Sequence, residues 1–240
     1  MPLFGIVHSD RLQAALRWLG ARERGMLLAL LVVLGGGWLF AELSDEVIEG
    51  ETNALDERVL LLFRAVDDPA DPLGPSWVEE TARDFTGLGG IGVLTLVTLA
   101  SAGFLALQGK AHLAWYVLAA VGSGMLLSML LKAGFDRPRP ELVPHGQVVY
   151  TSSFPSGHSM MSAVAYLTLG ALLAGAQGSR RLKAYLLGLA VLVTVGVGIS
   201  RVYLGVHWPT DVLGGWTAGS AWALACWSFA RYLRRRGRLE

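Results

Sequence analysis

The strongest constraint on this chain is a series of apolar stretches, each long enough, or nearly so, to cross a lipid bilayer. A hydrocarbon core about 30 Å thick takes roughly 20 helical residues to span. Six stretches approach that length: Met26 to Leu43, Gly89 to Gln108, His112 to Leu131, Ser159 to Ala176, Ala184 to Leu204 and Thr210 to Leu233. Inside hydrocarbon the backbone has to satisfy its own N–H and C=O groups, so such segments become helices. The expected fold is all-α: an integral-membrane bundle of six transmembrane helices. Of 240 residues, 53% are hydrophobic and only 16% charged, against about a quarter charged in a soluble domain. That balance excludes a disordered chain and argues against an ordinary soluble enzyme. Small residues cluster at Gly122 to Gly124 and Gly214 to Gly219. They let membrane helices approach closely, which predicts a compact bundle.

The formal net charge of +1 conceals a segregation. Arg11, Arg17, Arg22 and Arg24 precede the first stretch, and Lys110 follows the second. Arg180, Arg181 and Lys183 follow the fourth, and Arg231, Arg234, Arg235, Arg236 and Arg238 close the chain. With six spans these basic segments share one side, which the positive-inside rule makes cytoplasmic. The first stretch follows arginines as a signal peptide would. Its long apolar core, and Ala41-Glu42-Leu43 in place of a small-residue cleavage site, predict a retained span. The organisation expected is a cytoplasmic arm (1–25), a six-span domain (26–233) and a basic cytoplasmic tail (234–240). Within the domain lies an extracytoplasmic acidic loop (44–88), cationic only at Arg58, Arg64 and Arg83. In that loop Leu55 to Val66 has an amphipathic pattern, and Ser76-Trp77-Val78-Glu79 reads as a capped helix start. The loop is either a cover over an external site or a solvated connector. Cys226, the single cysteine, lies in an apolar run and forms no intrachain disulfide.

Three polar islands fall on the external face: Lys132 to Pro140, Ser153 to Ser159, and Ser200 to Asp211. Lys132, Arg137, Arg139 and Arg201 put cations where the positive-inside rule predicts few, and such charges are costly without a partner or a task. The neighbouring acids Asp136, Glu141 and Asp211 are too few to pair them, which implies an anionic ligand. Arginine's planar fork and lysine's point charge both suit phosphate oxygens. Ser156-Gly157-His158 opens the fourth stretch. Free backbone N–H groups at a helix N-terminus make an anion site there, and Gly157 leaves room for an oxyanion. Ser156 serves either as a hydroxyl donor to the anion or as an ordinary cap.

His207 and Asp211 are four residues apart, on one face if helical, although Pro209 leaves the helix start open. A carboxylate beside a histidine fixes its tautomer and frees the other nitrogen as a nucleophile. The alternative, a structural hydrogen bond, is weakened by a second histidine, His158, on the same face. Two histidines and an aspartate are also a metal donor set. The surrounding cations repel a divalent ion, so no metal and no cofactor is expected.

These islands resemble the signature of the type 2 phosphatidic acid phosphatase family: K-x6-R-P, then P-S-G-H, then S-R-x5-H-x3-D. Lys132 with Arg139-Pro140, Pro155-Ser156-Gly157-His158, and Ser200-Arg201 with His207 and Asp211 fill every fixed position. The resemblance implies a metal-independent membrane lipid phosphatase working through a phosphohistidine. In that scheme His207 attacks phosphorus, Asp211 orients it, and His158 protonates the leaving group. Lys132, Arg139, Ser156, Gly157 and Arg201 hold the phosphoryl oxygens; Arg137 lies outside the signature and is an additional candidate from its charge and place alone. The implied substrates are a polyprenyl diphosphate first, then phosphatidylglycerol phosphate or phosphatidate. Transfer of the phosphoryl group to another acceptor is the alternative. The partners expected are the lipid phosphate and the bilayer, with no nucleic acid and no particular oligomeric state. The short, loop-poor chain suggests a bacterial inner membrane.

Overall fold

The structure is a computed structural model that describes residues 21–141 and 151–236. Most of the basic N-terminal arm and Arg238 of the tail therefore lie outside the described residues. The order is α1 (Ala21–Glu49), α2 (Asn53–Leu61), α3 (Ser76–Leu88), α4 (Ile91–Leu107), α5 (Ala111–Ala133), α6 (Gly157–Gly175), α7 (Arg180–Tyr203) and α8 (Pro209–Arg235). No strand occurs among the described residues beyond one isolated bridge between Arg64 and Pro72. The all-α expectation holds.

Among the described residues four helices are long and apolar enough to cross a membrane: α1 from Gly25, α5, α6 and α7. The pair α3–α4 makes a fifth if counted as one span bent by 50° at its break. The count is thus four or five against the six expected. The expected sixth, α8, has 27 residues, about 40 Å at 1.5 Å per residue. It has the length but not the apolarity, because Asp211, Thr, Ser and Gly crowd its first half and arginines its end.

Helix α6 is the hub. Every residue from Ser159 to Ala165 is buried, so these roughly two turns are enclosed on all sides by α5, α7 and α8. Small residues make that possible. A Cβ placed on Gly215 of α8 would sit 2.6 Å from the Ser156 carbonyl oxygen, and one on Gly219 would collide with the Met160 carbonyl. Leu94, Val121, Met161, Val164 and Ala165 form the core that joins α4, α5 and α6. By contrast α1 packs mainly on α8 and leaves Leu28, Leu31, Leu34 and Trp38 exposed, as a lipid-facing helix does.

Two boundaries differ from the sequence expectation for physical reasons. Helix α1 runs six residues into the stretch expected to be loop. Ser44 to Glu49 are too polar for hydrocarbon yet continue the helix, which ends at Gly50 (φ 77°). Ser76 is the first residue of α3 and not its cap; Pro75 holds the cap position with no side-chain bond. The outer loop is also not a free connector. Asp56 and Leu60 of α2 are fully buried, and Leu60 packs on Val202 and Val212. Arg64 Nη2 donates to the Tyr203 carbonyl at 2.8 Å, capping the end of α7.

Candidate active site

The end of α5, the start of α6, the end of α7 and the start of α8 meet at one end of the bundle. The loop segments between them are stitched by backbone bonds: Ser153 N–H donates to Arg137 O and Ser156 N–H donates to Asp211 O, both at 2.9 Å. This brings the three sequence islands together. Behind them Phe154, fully buried, stacks on Phe40 of α1 at 5.6 Å and meets Phe135 edge-on at 4.8 Å.

His207 and Asp211 are paired, but not across one helix face. Pro209 is the first residue of α8, where its fixed φ and missing N–H suit the position, so His207 precedes the helix. Asp211, three residues past the cap Trp208, turns back, and its Oδ2 accepts the Trp208 N–H at 2.9 Å. The same oxygen lies 3.3 Å from His207 Nδ1 and accepts a short bond from Ser153 Oγ. With Nδ1–H turned to the carboxylate, the acceptor lone pair is on Nε2, which lies 3.2 Å from Arg139 Nη1. Both side chains are almost wholly buried, at 2% and 0% exposure. Burial, only partly offset by Asp211 and reinforced by Arg139 and Arg201, holds the His207 ring down at about 4.

A cavity of about 460 Å³ reaches from this histidine into the bundle. One end is lined by Lys132, Arg139, Gly157, His158, Arg201 and His207. The remainder runs between α4, α5 and α6 past Leu94, Leu99, Leu118, Val121, Met125 and Met161. The cations at the polar end have few anionic partners. Lys132 Nζ donates to the Ser152 carbonyl at 2.7 Å. Arg139 donates to the carbonyls of Val206 and Thr151, at 2.8 and 3.3 Å. Burial pulls the Arg139 guanidinium below its ordinary value. Arg201 is 4% exposed, its Nε has no partner, and Nη1 reaches only Thr86 Oγ1 at 3.3 Å. A buried guanidinium without a carboxylate is costly, and an anion in the cavity would relieve it. Gly89, at the α3–α4 break, packs against His158 so closely that a Cβ there would meet its side chain at 3.3 Å.

Two of the site residues picked from the sequence are placed differently. Ser156 is buried, and its Oγ caps α6 by accepting from Ser159 N–H and Ser159 Oγ, at 3.5 and 3.0 Å. It does not line the cavity. Arg137 also turns away from the cavity, and it is not short of acids: it pairs with Asp211 at 2.7 Å and with Asp56 at 2.6 Å. Counting acids near the cations in sequence missed Asp56, 81 residues away in α2. Ser153 and Thr210, within the islands, were also passed over. Both are buried, and each is bonded to a buried carboxylate, Asp211 and Asp56 respectively. No three His, Cys, Asp or Glu side chains converge as a metal cluster among the described residues.

A family model described as the PAP2 superfamily matches residues 113–235. Phosphatidylglycerophosphatase B of Bacillus subtilis is 35% identical over 161 residues, 65% of this chain and 76% of that protein. An undecaprenyl-diphosphatase of Sulfolobus acidocaldarius is 40% identical over 68 residues, 28% of this chain and 29% of that one. A solved transmembrane PAP2-type phosphatidylglycerolphosphate phosphatase from Bacillus subtilis superposes with a TM-score of 0.73 at 28% identity. That match covers 85% of this chain and 98% of the other.

Proposed function

The chain belongs to the PAP2 superfamily, and from that premise we propose that it is an integral inner-membrane lipid phosphatase. The observation that carries this reading is the divided cavity. Its cationic, histidine-bearing end suits a phosphate group, and its apolar length between α4, α5 and α6 suits the hydrocarbon chain attached to that phosphate.

The proposed chemistry runs through His207. The phosphoryl oxygens are held by Lys132, Arg139, Arg201 and the Gly157 amide at the start of α6, which together stabilise the equatorial charge of the transition state. His207 Nε2, neutral because burial keeps its ring at about 4, attacks phosphorus. The P–O bond to the lipid breaks, and His158 gives its proton to the leaving oxygen. Water then cleaves the phosphohistidine, with His158 taking back a proton, and releases inorganic phosphate. Asp211 holds Nδ1–H and stabilises the charge the ring acquires. Ser156, capping α6, presents the Gly157 N–H and does not contact the phosphate itself. The crowd of cations makes a divalent metal unnecessary and unwelcome here. A chelator should therefore leave turnover unchanged.

The site end of the bundle faces the periplasm in this proposal. Lys110, Arg180, Arg181 and Lys183 all lie at the opposite helix ends, where the positive-inside rule sets the cytoplasm. α3–α4 and α8 both count as spans, which gives six.

The test is phosphate release from undecaprenyl diphosphate, phosphatidylglycerol phosphate and phosphatidate by the detergent-purified protein. Wild type, His207→Ala and His158→Ala are run in parallel, with and without chelator. At least one lipid should be turned over by wild type only. Full activity in His207→Ala, or dependence on a divalent metal, would sink the proposal.

A further inference from the structure

We infer that Arg137 is a positioning residue of this site, holding Asp211 through a buried charge cluster that the outer helix α2 completes. The inference rests on the phosphatase reading above. Arg137 Nη1 donates to Asp211 Oδ1 at 2.7 Å and to Thr210 Oγ1 at 2.8 Å. Nη2 donates to Asp56 Oδ2 at 2.6 Å and to Thr52 Oγ1 at 3.2 Å. Its side chain is 7% exposed, and both carboxylates are fully buried. Asp56 is fixed in turn, accepting the Thr210 N–H at 2.9 Å and the Thr210 hydroxyl at 2.6 Å. One guanidinium thus compensates two buried carboxylates, one from the outer loop and one from the site.

The two oxygens of Asp211 divide their work. Oδ2 takes the Trp208 N–H and the Ser153 hydroxyl and faces His207 Nδ1. Oδ1 has Arg137. Without that grip Oδ1 is a buried anionic oxygen with no donor, and the carboxylate is free to turn. His207 then loses the fixed partner that sets its tautomer. Because Arg137 does not line the substrate cavity, its loss acts on turnover and leaves lipid binding largely alone. A lysine has a single nitrogen and cannot bridge Asp56 and Asp211 as the fork does. Asp56→Asn keeps the shape and, with its oxygen toward the Thr210 N–H, that one bond, but it puts an amide NH2 where Oδ2 accepted from Arg137 and the Thr210 hydroxyl and removes half of the charge facing Arg137. A second cavity of about 590 Å³, lined also by Asn53, Glu57, Asp136 and Trp208, adjoins Arg137 from the outer loop. It offers a route for a small cation to enter.

The test measures kcat and KM for the best lipid with the full-length protein in detergent. Each variant is first checked for monodispersity and melting. Arg137→Lys is expected to lower kcat about 10- to 100-fold, with KM within about threefold of wild type. Asp56→Asn is expected to lower kcat about tenfold. Arg137→Ala falls furthest, and millimolar guanidinium restores part of its kcat saturably while doing nothing for wild type. If Arg137→Ala does not fold, Arg137→Lys and Asp56→Asn decide the matter; if neither Arg137 variant folds, Asp56→Asn decides alone. A raised KM with kcat retained overturns the inference, since it would make Arg137 a phosphate contact. Wild-type kcat in the deciding variants, in an enzyme otherwise dependent on His207, also overturns it. A wild type that releases no phosphate from any lipid sinks the phosphatase reading and this inference with it, whereas full activity in His207→Ala sinks the His207 mechanism and this inference but leaves a phosphatase.

Discussion

In the proposed mechanism His207 has to be neutral to attack phosphorus, and its surroundings keep it so. Burial disfavours the charged ring more strongly than Asp211 favours it, and the ring is held at about 4 against an ordinary 6.5. The sign follows directly. The nucleophile is lost only as pH falls through about 4, so the acid limb of kcat/KM that His207 sets should lie there and not near 6.5. Stability moves in the same direction. As pH drops below 6.5 the unfolded ring protonates while the folded one resists until about 4. The melting temperature should therefore fall across that window, and His207→Gln should lessen the fall. A wild-type kcat/KM acid limb near 6.5, together with a fall in melting temperature that His207→Gln leaves unchanged, would contradict the geometry. Ser153→Ala removes one donor from Asp211 Oδ2; it should lower kcat about tenfold with little change in KM. At this scale the signature residues were legible because their spacing is local. The partners of those residues were not. Asp56 meets Thr210 across 154 positions of sequence, and only the folded loop brings them together. Ser156 was half legible: both its readings were visible, and the structure shows it as the cap of α6.

The elements matter through how closely they can approach. Helix α8 lies on α6 at Gly215 and Gly219, where backbone meets backbone. That contact also carries the site, because Ser156 N–H bonds to the Asp211 carbonyl across it. A side chain at either position has to push the helices apart. Gly219→Val should cost about 1–3 kcal/mol by overpacking, read as a lower melting temperature. It should also reduce kcat, since the pushed-out α8 carries Asp211. An unchanged melting temperature would mean that the seam is looser than drawn. Hydropathy located six helices of this bundle within a few residues, because apolar run length and helix length are set by the same bilayer. It failed where polar residues continue a helix, as at Ser44 to Glu49 in α1. It also could not register the 50° bend between α3 and α4, since Gly89 and Gly90 mark a break but not its angle.

For the whole molecule, the number of times the chain crosses sets the orientation of the site. Helices α1, α5, α6 and α7 have the apolar length to cross; α3–α4 and α8 decide the rest. If both cross, Lys110, the α6–α7 connection and the end of α8 share the cytoplasm, and the outer loop with the cavity mouth faces the periplasm. If α3–α4 fails to cross, Lys110 shares a side with the outer loop. If α8 fails, its end shares a side with the site. Replacing the single cysteine (Cys226→Ser) permits a direct reading. Asp68→Cys, Lys110→Cys, Ser179→Cys and Arg236→Cys each place one thiol at an exposed position. A membrane-impermeant maleimide should label Asp68→Cys in cells whose inner membrane is intact, and the other three only after that membrane is opened. Labelling of Lys110→Cys, with Ser179→Cys and Arg236→Cys, in intact cells would remove α3–α4 from the spans, and labelling of Arg236→Cys alone would remove α8. Arginines at the end of α8 make that last outcome unfavourable. Arg231 lies over Trp227 at 5.0 Å and Arg236 over Tyr232 at 4.9 Å, the pairing of aromatic ring and cation that anchors a helix end at a membrane interface. An aromatic-and-arginine belt at the far end from His207 is what the proposed sixth crossing needs, and under that proposal the cationic end of the cavity faces the side opposite the basic tail.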